Sequence, residues 1–151
     1  MQVEFEMSLV GEIKFFIGIQ INQSPEGIYI HQRKYTKELL KKFDMSECKM
    51  SKTHMHPTCI LEKDEVSAKV EHKVYRGMIG SLIYLNASIP DILFSLCLYA
   101  LLSDPRESHL TTVKRIFKYL KGTIDLSLCY KKSKYYKQVG YCDADYAGYI
   151  L

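Results

Sequence analysis

The sequence predicts an α+β fold on three observations. An apolar alternation of period two is closed by a turn near the N-terminus, three stretches of helical apolar period lie between residues 74 and 121, and strand-like texture returns after Gly122. Lys14 to His31 form the β-hairpin: Phe15, Ile17, Ile19 and Ile21 alternate onto one face, "NQSPEG" supplies turn residues, and Ile28 and Ile30 resume the period. A helix follows in "KYTKELLKKF", with Tyr35, Leu39, Leu40 and Phe43 on one side and Lys37, Lys41 and Lys42 largely on the other. From Asp44 to about Ser67 no period is sustained. That stretch is expected to be a long connector to a second substructure, because a structureless loop of such length is unusual inside one compact unit.

The first of the three later helices, Val74 to Leu85, carries Tyr75, Met78, Ile79, Leu82 and Ile83 at helical spacing, and Gly77 and Gly80 weaken it unless a neighbour packs close. The second starts near Pro90 and ends at "SDP", Ser103 to Pro105; being apolar nearly all round, it is predicted to be central. The third, Glu107 to Lys121, buries Leu110, Val113, Ile116, Phe117 and Leu120, with Gly122 placed to cap its end. Beyond it Leu126, Leu128 and Tyr130 alternate, lysines turn the chain, and Val139 and Tyr141 resume as an incomplete strand pair. The expected units are residues 1–45 (hairpin and helix), 46–73 (connector), 74–122 (a three-helix unit) and 123–151 (incomplete C-terminal strands).

With 47% hydrophobic and 25% charged residues, the composition belongs to a globular protein rather than a disordered chain. "MQVEFEMSLVGEIKFF" has acids where a signal peptide has bases, and the longest apolar run, Ile92 to Leu102, is about half the ~20 residues of a spanning helix. The expectation is no membrane partner. Five cysteines at scattered spacings speak for a reducing, intracellular compartment over a disulfide framework. The net charge of +4 is unevenly spread: Arg33 to Lys42, Arg106 to Lys121 and Lys131 to Lys137 each sum to +4, leaving −8 elsewhere. Concentrated basic charge suits a phosphate-tracking surface, although solvated lysine faces are the commoner meaning of such runs. On the third helix Lys114, Lys118 and Lys121 recur at i, i+4 and i+7 with Arg115 beside them, a basic stripe set apart from the apolar one.

Near the C-terminus Asp143 and Asp145 are two apart, so a continuing strand would aim both carboxylates at one hard cation such as Mg²⁺. On these residues alone, surface acids at a strand end are the commoner reading. Cys48, His54, His56 and Cys59 lack the CxxC knuckle of a zinc site, and no nucleophile elbow or Gly-rich phosphate loop occurs.

Six blocks, in order, carry a further signal: "GEIKFFIGIQI", "GIYIHQRKYTKELLKKFDM", "YRGMIGSLIYL", "SIPDILFSL", "DPRESHLTTVKRIFKYLKGT" and "VGYCDADYAG". Together they resemble the Pol polyprotein of copia-type LTR retrotransposons, from about Phe5 to Gly148. The resemblance implies that residues 1–45 close a reverse transcriptase palm, with Phe16, Ile17 and Gly18 at a primer-grip-like hairpin. It implies that Val74 to Lys121 are the helical thumb and connection, where Lys114, Arg115, Lys118 and Lys121 hold an RNA/DNA template–primer duplex by its phosphates. It implies that "DADYAG" opens a ribonuclease H domain in which Asp143 is the first catalytic, metal-binding aspartate and Asp145 a weaker candidate ligand. Mg²⁺ would serve the intact parent enzyme, and the remaining parts of Pol would be partners, in a transposition and DNA-integration context. The location would be cytoplasmic, in virus-like particles, or nuclear.

The resemblance also shapes what is expected of the chain by itself. No adjacent aspartate pair occurs in it, and the family's Tyr-Val-Asp-Asp strand is expected upstream of Met1. Ile89 stands where the family usually has arginine, Tyr146 where it has tryptophan, and "YIL" replaces the usual continuation, which points to drift. The expectation is a reverse transcriptase/ribonuclease H fragment that binds no metal and is inactive alone. The alternatives are a non-catalytic nucleic-acid-binding module acting through its basic helix, or a decayed element with no function.

Overall fold

A computed structural model describes residues 11–56, 64 and 66–132. Within them the chain is α+β, as predicted: β1 (Phe15–Phe16), β2 (Ile19–Ser24), β3 (Gly27–His31), α1 (Arg33–Lys42), α2 (His72–Leu85), a 3₁₀ turn at Pro90–Ile92, α3 (Leu93–Ala100), α4 (Glu107–Gly122) and β4 (Leu128–Lys131). The strands make one antiparallel sheet in the order β1-β2-β3-β4.

The N-terminal hairpin departs from the expected register. Phe16 pairs with Ile19, so the chain reverses at Ile17–Gly18, and Ile17 sits in the turn instead of on an alternating face. Both central residues have positive φ, 46° at Ile17 and 72° at Gly18, as a type I′ hairpin turn demands. Gly18 makes that turn possible, and its apolar neighbours disguise it in the sequence. The second reversal is tighter than "NQSPEG" suggests: Ser24 pairs with Gly27 around Pro25 and Glu26, and the Ser24 hydroxyl oxygen accepts the Glu26 and Gly27 amides, each at 3.2 Å. β4 lies beside β3, Gly27 opposite Lys131 and Ile30 opposite Leu128. The strand expected to open a C-terminal unit is thus the fourth strand of the N-terminal sheet. A side chain at Gly27 would strike the Tyr130 carbonyl.

The helices hold the core. Leu39 and Leu40 of α1 join Tyr75, Met78, Ile79, Leu82 and Leu85 of α2, with Ile92, Leu96 and Tyr99, and with Val113, Ile116, Phe117 and Leu120 of α4, in one buried cluster. Each large apolar side chain fully buried there is worth about 1.5–3 kcal/mol relative to exposure. The cluster runs across the boundary the sequence suggests between α1 and the later helices: Phe43, just past α1, stacks edge-on against Phe117 with ring centroids 5.3 Å apart. Ile83, expected on the buried face of α2, is half exposed, and Leu85 takes its place.

α3 is not central. Its buried side is Leu96 and Tyr99, while Leu93, Phe94 and Leu101 face outward, Leu101 at 82% exposure. Arg76 of α2 steadies its end, donating to the Ala100 and Leu102 carbonyls at 2.8 and 2.9 Å. Gly77 and Gly80 are exposed with nothing packed close to them, and Gly122 is the last helical residue of α4, not its left-handed cap. Thr123 caps instead, its hydroxyl donating to the Tyr119 carbonyl at 3.1 Å. Among the described residues no helix is long and apolar enough to cross a membrane.

Candidate nucleic-acid interface

α4 turns Val113, Ile116, Phe117 and Leu120 into the core, which sends Lys114, Arg115, Lys118 and Lys121 to its outer side, where all four are half-buried. The connector lies against three of these positions, Arg115, Lys118 and Lys121. The Ser51 amide donates to the Lys118 carbonyl at 3.1 Å, Arg115 Nε and Nη2 donate to the carbonyl and hydroxyl oxygens of Thr53 at 3.3 and 2.8 Å, and Lys121 Nζ donates to the Cys48 carbonyl at 2.9 Å. The expected stripe is therefore divided: Arg115 and Lys121 hold the connector against α4, while Lys118 borders an opening between the two.

That opening is a cleft of about 360 Å³ lined by Lys49 and Ser51 from the connector and by Thr111, Thr112, Arg115 and Lys118 from α4, with Met50 and His56. Lys49 and Lys118 bring ammonium groups to it from the two sides, donors that phosphate oxygens accept from, whereas the Ser51 and Thr112 hydroxyls donate to the Thr53 and Ser108 carbonyls at 2.9 and 3.1 Å. Sequence reasoning missed Lys49 and Ser51, because a segment without side-chain periodicity was read only as a link. The signal was composition: Lys49 and Lys52 bring two ammonium groups into the segment.

Two of the four connector residues weighed for zinc have other neighbours. His54 packs edge-on against Tyr119, with centroids 5.5 Å apart, and Cys48 packs against the core. Tyr119 donates to the Asp91 carboxylate; that bond, burial and the Asp91 charge push its hydroxyl up to about 12. Cys59, Asp143 and Asp145 lie outside the described residues. Among those described, no three His, Cys, Asp or Glu side chains are grouped to hold a metal ion.

The hairpin tip is a second group, sharing no residue with the cleft. Phe16 is 56% and Ile17 70% exposed, an apolar tip presented to solvent. It is tied down from behind: the Tyr84 hydroxyl of α2 donates to the Ile17 carbonyl, and any side chain at Gly18 would meet that hydroxyl. Tyr84 is held in turn. Tyr35 meets its ring edge-on at 4.8 Å and donates to the Ser81 carbonyl at 3.3 Å, and buried Gln32 donates to the Tyr84 carbonyl at 3.4 Å while accepting from Ser88 at 2.8 Å.

The family model described as reverse transcriptase (RNA-dependent DNA polymerase) matches residues 1–57. The retrovirus-related Pol polyprotein from transposon RE1 of Arabidopsis thaliana is 35% identical over 138 residues, 91% of this chain and 9% of that protein. Its counterpart from transposon RE2 of the same plant is 32% identical over 138 residues, 91% of this chain and 10% of the relative. An uncharacterized mitochondrial protein of Arabidopsis thaliana is 29% identical over 145 residues, 95% of this chain and 60% of that one. The chain thus spans about a tenth of the length of these two Pol polyproteins. No solved structure matches it.

Proposed function

The chain belongs to the copia-type retrotransposon Pol family, within its reverse transcriptase region, and from that premise we propose that it is a non-catalytic grip on a template–primer duplex. The α4–connector cleft takes backbone phosphates through the ammonium groups of Lys49 and Lys118 and the hydroxyl of Thr111, while Arg115 fixes the connector that frames it. The tip at Phe16, Ile17 and Gly18 lies toward the primer strand. The observation that carries this reading is the two-sided cleft, in which connector and helix present phosphate donors to one space.

Reverse transcriptases work with divalent metal ions. The described residues do not fit one, so no step here is routed through a metal; Mg²⁺ and ribonuclease H chemistry, with Asp143 and Asp145, belong in this reading to the larger polyprotein. The 151-residue chain is expected to bind a duplex and to extend no primer.

Fluorescence anisotropy with a labelled RNA–DNA hybrid, titrated at several salt concentrations, tests the proposal. A phosphate-dominated contact loses affinity linearly in log salt, with a slope of roughly −0.9 per phosphate neutralised on B-form DNA. Steep weakening supports the grip; affinity flat in salt refutes it.

A further inference from the structure

Behind the hairpin tip lies another cleft, of about 450 Å³, lined by Phe15, Gly18, Lys34, Tyr35, Glu38 and Tyr84. We propose that it takes one nucleobase of an unpaired strand. The base stacks on the aromatic side chains, Glu38 accepts a hydrogen bond from its exocyclic amino group, and Lys34 serves the strand's phosphate. The inference rests on the reading of the chain as a nucleic-acid grip, with which it shares only Gly18 of the hairpin tip.

Each part of the cleft points to the same ligand. The hydroxyls of Tyr35 and Tyr84 are spent on the Ser81 and Ile17 carbonyls, so what these residues offer a ligand is ring surface. Phe15, 62% exposed, adds a third ring from β1. Stacking suits any base, since every base has a π-face. Exposed Lys34 and Glu38, on consecutive turns of α1, add one positive and one negative group to that apolar wall. A carboxylate selects a base that carries an amino group, as in acceptance from the cytosine amine, and an ammonium matches the attached phosphate. The space lies within the range of small-ligand pockets. Because both tyrosines are locked by hydrogen bonds and an edge-to-face contact, little ordering remains to be paid on binding.

The test measures anisotropy of the full chain with three labelled strands of equal length: oligodeoxycytidylate, oligothymidylate and an abasic sugar–phosphate strand. Affinity is expected to fall in that order. Phe15→Ala, at an exposed position and checked for intact helical circular dichroism, should weaken the cytidylate complex about tenfold and leave the abasic one unchanged. Glu38→Gln should abolish the preference for cytidylate over thymidylate, because an amide both donates and accepts. Equal binding of the abasic and base-bearing strands, or no effect of Phe15→Ala, overturns the proposal. A duplex arm separates it from the grip: Lys49→Gln with Lys118→Gln should weaken the hybrid while leaving the cytidylate-to-abasic ratio unchanged. If the hybrid does not respond but that ratio persists, the base site stands and the phosphate cleft falls.

Discussion

Replacing Ile17 with asparagine should stabilise the protein. Ile17 is a β-branched residue at φ 46°, a left-handed conformation that costs an ordinary L-residue roughly 1–2 kcal/mol. Against that strain stands the burial lost with the side chain. At 70% exposure about a third of its surface is covered, which at 1.5–3 kcal/mol for complete burial comes to less than about 1 kcal/mol. Asparagine tolerates positive φ, and Asn-Gly is the favoured pair for a type I′ turn, so strain relief should exceed lost burial by about 0.5–1 kcal/mol. The Tyr84 bond survives, because its acceptor is the Ile17 backbone carbonyl. Urea denaturation followed by circular dichroism should show a higher midpoint at unchanged slope, and the thermal midpoint should rise by about 2 °C. Ile17→Ala, which loses the burial and still carries a Cβ at positive φ, should gain nothing. A midpoint for Ile17→Asn equal to or below that of the parent would show that Ile17 is not held in this turn.

The core offers a larger effect: Phe117→Ala removes a fully buried ring stacked on Phe43 and should cost about 3–5 kcal/mol by chemical denaturation, whereas a loss below 1 kcal/mol would mean that α1 does not share the core of α4. Alkaline pH reads two phenols, Tyr75 in the core and the partly buried Tyr119. Tyr75, raised by burial, and Tyr119, raised by its bond to Asp91, both ionise at about 12 in the folded chain against about 10 when unfolded. The folded state keeps protons that the unfolded state releases, so the stability they contribute is complete below pH ~10 and lost as pH rises toward ~12. Ultraviolet titration of phenolate should show a late-ionising fraction that Tyr119→Phe diminishes; ionisation of every tyrosine near pH 10 in folded protein would contradict it.

Much of the fold was legible because helices write their packing into side-chain periods: Leu39 and Leu40, the α2 series from Tyr75, and Val113 to Leu120 were all readable as buried faces. Where the cause lay in the backbone, legibility failed. The reversal at Ile17–Gly18 hides within an apolar alternation, since glycine's tolerance of positive φ leaves no mark on hydropathy. α3 reads as central because Leu93, Phe94 and Leu101 are apolar, although all three are exposed. The seat of the connector depends on the Ser51 amide and the Thr53 and Cys48 carbonyls, groups every sequence possesses. For that reason the basic stripe was visible while its division was not, and Lys49 went unseen as its companion.

The cleft, as distinct from overall positive charge, is what the proposed grip depends on. Lys37→Gln with Lys41→Gln on the basic face of α1 changes net charge as much as Lys49→Gln with Lys118→Gln does, so the two double variants can be compared directly on an RNA–DNA hybrid across a salt series. The cleft variant should flatten the log–log salt slope by about one for each lysine that contacts a phosphate, and the α1 variant should leave it close to the parent's. Equal slopes for the two variants would contradict the assignment of the α4–connector cleft as the phosphate-binding surface.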